Sequence, residues 1–177
     1  MFRKFKQWFD REPPVELAFP EQSLRVGEST YQLRRMTNDD IDAALVMEKA
    51  IYHDTPWDRI AFISELRKTQ RSLYLVLFDE DVLTAFIGCW FGKDEAHITN
   101  IAVAPLYQGQ GIGEALMRLM IDKAYDLGTS EITLEVRTDN AVAQHLYHKL
   151  GFQDGEIRRG YYVSTHADAM DMRKPLE

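Results

Sequence analysis

The stretch Asn100-Ile101-Ala102-Val103-Ala104-Pro105-Leu106-Tyr107-Gln108-Gly109-Gln110-Gly111-Ile112-Gly113-Glu114-Ala115 limits the fold more than any other part of the chain. Just before and within it, Ile98, Thr99, Ile101 and Val103 are β-branched and suit a pleated strand. Pro105 has no N–H to give to a ladder and ends that strand. Gly109, Gly111 and Gly113 allow positive φ and close approach of a ligand to the backbone. Apolar Ile112, Leu116, Leu119, Met120 and Leu127 follow near helical spacing, and Gly128 stands where a C-terminal cap belongs. A helix opened by glycines presents unpaired N–H groups and the positive end of its dipole, which makes a seat for phosphate. No Gly-Lys-Ser/Thr is present, so the seat is not a nucleoside-triphosphate loop. The glycine spacing also misses the dinucleotide pattern Gly-x-Gly-x-x-Gly by one residue.

The flanking sequence supplies a sheet and more helices. Thr30 to Met36 reads as a strand. Thr37 or Asn38 caps a helix carrying Ile41, Leu45, Val46 and Ala50. His53-Asp54-Thr55-Pro56-Trp57-Asp58 breaks it, and Asp58 can cap a second helix with Ile60, Phe62, Ile63 and Leu66 apolar. Leu73 to Phe78 and Val82 to Phe91 form a hairpin across Asp79-Glu80-Asp81. A strand ending at Val103, the long helix, and a strand from Glu131 to Arg137 make a right-handed crossover with the two strands parallel. A helix from Asn140 stops at Gly151, and segments Phe152 to Tyr162 and Asp168 to Lys174 close the sheet.

At 177 residues one domain is expected. Residues 30–177 form it, preceded by a basic amphipathic arm and linker over 1–29. In the arm, Phe2, Phe5, Trp8 and Phe9 interleave with basic residues. So short a helix holds a membrane poorly, so no stable membrane insertion is expected. The arm reads as packing on its own domain or on a second copy, as in a homodimer. Arg3, Lys4, Lys6 and Arg11 outweigh Asp10, which leaves the first eleven residues at +3 and the remainder at −10 within a net charge of −7. That balance argues against direct nucleic-acid binding and suits a basic partner. Cys89, the only cysteine, sits in the apolar run Ala85 to Trp90 and reads as a buried thiol. A lone cysteine fits a reducing compartment, and a cytoplasmic location is expected. His145 and His148 share a helix face, but no third ligand is evident and no metal site is expected.

Gln108-x-x-Gly111-x-Gly113, preceded by Asn100-Ile101-Ala102-Val103-x-Pro105-x-Tyr107, resembles the acetyl-CoA motif of the GCN5-related N-acetyltransferases (GNAT superfamily). Leu134-Glu135-Val136-Arg137-x-x-Asn140 and Leu146-Tyr147-x-x-Leu150-Gly151-Phe152 fall where that superfamily has its next two blocks. Ile157-Arg158-Arg159-x-Tyr161-Tyr162 is similar to the ribosomal-protein alanine N-acetyltransferases, the RimI type. The resemblance implies an α+β GNAT fold: a mixed, mostly antiparallel central sheet with one splayed parallel strand pair, flanked by helices. It implies acetyl-CoA as co-substrate. The pantetheine arm would hydrogen-bond to the main chain at Ile101 and Val103, the pyrophosphate would rest on the N–H groups of Gly109, Gln110, Gly111, Ile112, Gly113 and Glu114, and Ala102 and Gln108 would complete the cofactor-binding main chain. Relatives usually carry Arg where Gly109 stands and Asn where Gly160 stands.

Two residues emerge as catalytic candidates from the same likeness. Strand alternation puts Glu135 on the face opposite Ile132, Leu134 and Val136, and by family position it would deprotonate the acceptor amine through water. A protein α-amine, with an ordinary pKa of about 7.7–8.0 against about 10.4 for lysine, loses its proton for roughly 3 kcal/mol less. Tyr147 lies two helical turns after Asn140 on one face, with Ala143 between them. Proton transfer from a phenol near pKa 10 to a thiolate near 8.5 is uphill by roughly 2 kcal/mol, so Tyr147 acts as a hydrogen-bond donor to the departing sulfur. Asn140 would bond the pantetheine amides. Trp57, Arg158, Tyr161 and Tyr162, with Arg159, would border the cleft for the incoming N-terminus. The acceptor implied is the N-terminal alanine of a basic ribosomal protein such as S18. The alternatives are another protein N-terminus, a lysine or a small amine, or an acyl-CoA-binding module without turnover.

Overall fold

The structure, a computed structural model, describes residues 17–52 and 57–176. Its elements run β1 (Gln22–Val26), β2 (Ser29–Arg35), α1 (Ile41–Tyr52), α2 (Arg59–Leu66), β3 (Ser72–Asp79), β4 (Val82–Phe91), β5 (Glu95–Val103), α3 (Ile112–Asp126), β6 (Glu131–Arg137), α4 (Ala141–Lys149), β7 (Gln153–Tyr162) and β8 (Ala167–Pro175). The strands form one sheet in the order β1-β2-β3-β4-β5-β6-β8-β7. Only β5 and β6 run parallel; the other neighbours are antiparallel. Among the described residues no helix is long and apolar enough to cross a membrane.

The centre of the sheet is covered on both faces, and the alternation of β3 shows why its sequence is continuously apolar. Leu73, Leu75 and Leu77 point into a core built with α3 through Ile112, Leu116, Met117, Met120 and Ala124. Tyr74 and Val76 point the other way, onto Met36, Ile41, Ala44, Met47 and Phe62 beneath α1 and α2. The Cys89 thiol is fully buried, and burial pushes its pKa up. The expected caps are present: Asp58 accepts from Ala61 N at 2.7 Å, and Gly128 and Gly151 close α3 and α4 with φ of 74° and 89°.

Several expectations change. The sheet begins inside the stretch read as linker: Gln22–Val26 pairs with β2 across the two-residue turn Gly27-Glu28, and Leu17 is in the core at 1% exposure. Leu24 and Val26, two apart on this edge strand, pack against the core and supply the alternation. Val46 and Ile60 were expected on buried helix faces but are 71% and 76% exposed. The buried stripe of α1 runs instead through Ile41, Ala44, Met47 and Glu48. Gly113 does not take positive φ; Gly109 and Gly111 do, at 75° and 90°. The arm and linker over 1–16, and the helix break at 53–56, lie outside the described residues.

The feature that positions the site is a bulge. Gly88 faces Asn100 and Cys89 faces Ile98, so Thr99 is an extra residue on β5. A bulge bends its strand and sharpens the local twist. The parallel ladder to β6 covers only Glu95↔Glu131, Ala96↔Ile132 and His97↔Thr133, and beyond it the two strands part. Tyr74 anchors the bulge: its ring crosses Gly88 and its hydroxyl lies 2.6 Å from Thr99 Oγ1. A Cβ on Gly88 would sit 2.3 Å from the Tyr74 ring and 2.7 Å from Asn100 Oδ1. Gly88→Ala is therefore expected to destabilise the fold by about 1–3 kcal/mol, as other overpacked cores do, measured as a fall in the urea midpoint. An unchanged midpoint would mean that the ring does not need this space.

Candidate active site

Where β5 and β6 part, a cleft of about 120 Å³ opens. Its walls bring together Glu135 and Val136 from β6, Ile101 from β5, Asn140, Ala143 and Tyr147 around α4, Trp57 before α2, and Tyr161 and Tyr162 at the end of β7. Glu135 and Tyr147, nominated from distant parts of the sequence, thus line one cavity.

The backbone of β5 explains how the gap can hold an extended ligand. Ala104 N donates to Thr84 O at 2.8 Å, and Ala102 lies opposite Phe86. Antiparallel pairing alternates, so the polar groups of Ile101 and Val103 point away from β4, toward the gap. Their carbonyls already accept hydrogen bonds there: Ile101 O from Tyr52 Oη at 3.0 Å, and Val103 O from Gln108 Nε2 at 3.0 Å. Ala102, expected among the main-chain contacts, faces the other way. Its backbone belongs to the β4 ladder and its side chain to the core under α1.

At the open end of the gap, residues 108–111 are exposed. Gly111 is the N-cap of α3, in the left-handed region, and supplies no side-chain cap. The first-turn N–H groups of Ile112, Gly113 and Glu114 precede the first intrahelical donor, Ala115 N, which bonds to Gly111 O. The turn is braced from below by Tyr107, whose hydroxyl donates to Asp79 Oδ2 at 2.9 Å. Glu114 is the one acid in that first turn, and its carboxylate is neutralised by Lys149 at 2.6 Å and Arg118 at 2.8 Å. Those hydrogen bonds hold its pKa below the ordinary carboxylate range. Uncapped amides, a turn only glycine adopts easily, and outward main-chain groups on β5 fit a CoA-type ligand.

The titratable side chains of the cleft are held tightly. Glu135 Oε2 lies 2.9 Å from His97 Nε2. Burial pushes the phenol pKa of Tyr147 well above 10, with Tyr52 and Tyr162 adding to the shift. Burial likewise lifts Tyr52 and Tyr162 to about 12. Asn140 accepts from Ala143 N at 3.1 Å, so its side-chain oxygen is spent on capping α4. Trp57 lines the cleft and also packs on Phe62 and Tyr74, with ring centroids 5.3 and 6.1 Å away. Arg158 and Arg159 depart from the expected role. Arg158 does not line the cleft; it makes a bidentate pair with Asp171 at 2.7 and 2.8 Å. Arg159 is paired with Asp168 at the surface. Both arginines shape the β7–β8 hairpin that carries the two tyrosines. His148 is bonded to Asp154 at 2.6 Å.

Sequence reading missed Glu48, Tyr52, Asn100 and Arg137. Glu48 is 2% exposed, lines the cleft and accepts from Asn100 Nδ2 at 3.1 Å. Its signal was available: Ile41, Ala44 and Glu48 are three and four apart, so a carboxylate stands on the apolar stripe of α1. Arg137 ties the hairpin to β6. Its guanidinium pairs with Asp139, donates to Thr165 Oγ1 at 3.1 Å and lies 5.5 Å from the Tyr162 ring centroid.

A mixed sheet whose one parallel pair parts into a cleft, flanked among the described residues by four helices, is the architecture of an acyl-transfer fold. Residues 33–152 match the acetyltransferase (GNAT) family model, and the chain belongs to that family. It is 39% identical over 139 residues to the [ribosomal protein bS18]-alanine N-acetyltransferase of Escherichia coli, covering 77% of this chain and 92% of that one. The crystal structure of the ribosomal-protein-S18-alanine N-acetyltransferase from Escherichia coli superposes with a TM-score of 0.72 at 35% identity, covering 83% of this chain and 94% of that one. A Salmonella typhimurium protein solved with its cofactor acetyl-CoA shares the fold, with a TM-score of 0.69 at 22% identity, covering 84% and 95%.

The buried phenols give the fold an alkaline limit. A phenol whose pKa rises on folding keeps its proton in the native state while the unfolded chain ionises near pH 10. The stability from Tyr74, Tyr147, Tyr52 and Tyr162 is complete below that pH and is lost as pH climbs through the higher native values. The unfolding free energy from urea titrations should fall steeply above pH 10, by about 1.4 kcal/mol per pH unit for each phenol that stays protonated. Tyr147→Phe should flatten that fall, and an equally steep fall would contradict the assignment.

Proposed function

We propose that this chain transfers the acetyl group of acetyl-CoA to the α-amine of the N-terminal alanine of ribosomal protein bS18, directly and without a covalent enzyme intermediate. The observation that carries the reading is the meeting of Glu135 and Tyr147 in one cleft at the parting of β5 and β6. The 39% identity to an enzyme of that name, over nearly its whole length, supports the acceptor.

When bound, acetyl-CoA supplies an acyl group activated as a thioester. The chain's own residues do the rest. The main chain of Ile101 and Val103 holds the pantetheine amides in the gap. The amides from Gly109 to Glu114 cradle the pyrophosphate with backbone alone, which a missing Arg does not alter. Trp57, Tyr161 and Tyr162 wall the acceptor side, the two tyrosines packed edge to face with 5.2 Å between centroids. Glu135 removes the acceptor's proton through water. Tyr147, its phenol held protonated by burial, donates a hydrogen bond to sulfur as charge develops there. An α-amine suits this base, because a lysine would cost roughly 3 kcal/mol more to deprotonate. The net charge of −7 steers a basic N-terminus at low salt. The reaction takes place in the cytoplasm.

The test is acetyl-CoA with a peptide carrying the bS18 N-terminus, read by thiol release and by mass of the N-terminal residue. Glu135→Gln is expected to lower kcat by about 10²–10³, and Tyr147→Phe by about tenfold with KM nearly unchanged. Acetylation of an internal lysine in an N-terminally blocked peptide would assign a different acceptor. Absence of thiol release with either peptide would leave only a binding module.

A further inference from the structure

We propose that His97 works with Glu135 as a proton-holding, positioning residue: the proton that leaves the acceptor amine is kept in the contact between Glu135 Oε2 and His97 Nε2. The proposal rests on Glu135 being the base. His97 does not line the cleft; it sits behind Glu135, on the parallel strand, at the last rung before the gap.

Hydrogen-bond direction assigns the ring. His97 Nδ1 is 2.7 Å from Thr133 Oγ1, and Thr133 Oγ1 is 2.5 Å from Glu95 Oε1. An ionised Glu95 only accepts, so the single hydroxyl hydrogen of Thr133 goes to it. Nδ1 must then donate to Thr133, which makes Nε2 the acceptor nitrogen of a neutral ring. Its lone pair faces Glu135 Oε2 across 2.9 Å. An ionised carboxylate brings no hydrogen either. The chain Glu95–Thr133–His97–Glu135 therefore has room for one more proton than its neutral-ring form carries, in the contact nearest the cleft.

The balance closes on the reaction. The amine lone pair forms the new C–N bond, the C–S bond breaks with its electron pair on sulfur, and nitrogen sheds one proton. That proton reaches Glu135 through water, lodges between Oε2 and Nε2, and is later released to solvent. No oxidant or further reactant is required. Other groups face the pair as well. Trp90 lies opposite His97 on β4, and Asp171 opposite Glu135 on β8. Arg158, Tyr161 and Tyr162 also feel the Glu135 charge. These surroundings stay constant when only the ring or Thr133 is changed.

The experiment compares His97→Gln, Thr133→Val, Thr133→Ser and the double variant His97→Gln/Thr133→Val with wild type, by kcat, KM and the pH profile of kcat/KM. His97→Gln should lower kcat about tenfold, keep both KM values within about twofold, and move the acid limb to lower pH, because Glu135 without the ring lone pair binds the proton less tightly. Thr133→Val should change kcat and the pH limb in the same direction, and Thr133→Ser should recover both. The double variant should be no slower than His97→Gln alone, because the residues act as one unit. Wild-type turnover with an unmoved pH profile in His97→Gln, or losses that multiply in the double variant, would overturn the proposal. An active Glu135→Gln enzyme would instead remove the base reading beneath it. A dead Glu135→Gln beside a fully active His97→Gln would sink the proposal alone. Thermal midpoints of each variant separate loss of fold from loss of chemistry.

Discussion

A sheet normally satisfies its backbone polar groups with neighbouring strands, and leaving them unmet costs free energy. Here the extra residue Thr99 turns β5 away from β6 after three rungs, so the carbonyls of Ile101 and Val103 lose strand partners. The chain compensates with side chains: Tyr52 donates to Ile101 O and Gln108 to Val103 O. A carbonyl has two lone pairs, and the gap still offers a row of outward main-chain groups to an extended ligand with amides of its own. The whole site follows from that break. It leaves Glu135 paired to β8 on one side and facing the gap on the β5 side, lets Tyr147 reach in from α4, and leaves the turn before α3 at the outer end.

The electrostatics agree with that geometry. The positive end of α3 is uncapped by any side chain, and the one acid in its first turn is tied to Lys149 and Arg118. An incoming phosphate therefore meets amides with little opposing charge. Deeper in, burial keeps the phenols neutral, so Tyr147 can give a hydrogen bond without surrendering its proton. The arginines of β7 supply scaffold instead of free charge, since Asp171 and Asp168 hold them. What lines the cleft instead is the aromatic set Trp57, Tyr161 and Tyr162, together with Glu48 bonded to Asn100.

Much of this was legible in the chain because local chemistry decides it. Glycines and Pro105 mark the strand-to-helix turn, the continuous apolar runs of β3 and β4 mark a doubly covered sheet, and the alternation around Glu135 marks its face. What was not legible depends on register between distant segments. Nothing in Thr99 announces a bulge, which lies where the Tyr74 ring crosses Gly88 and its hydroxyl meets Thr99. The His97–Thr133 contact joins residues 36 apart through parallel pairing. The strand Gln22–Val26 was hidden among prolines and charges, and Val46 and Ile60 looked apolar enough to be buried while facing solvent. Arg158 carried the right side chain for a substrate contact, but Asp171, two residues along β8 from its pairing partner Ala169, takes it.

The central claim, that the parted strands and the uncapped helix together hold a CoA tail, is tested most directly by titrating CoA into the ¹⁵N-labelled protein and following backbone amides. The account predicts saturable binding with the largest shifts at Ile101, Val103 and Gly111 to Glu114. Saturable binding that leaves those amides unmoved while others shift, or no binding at all, would contradict it.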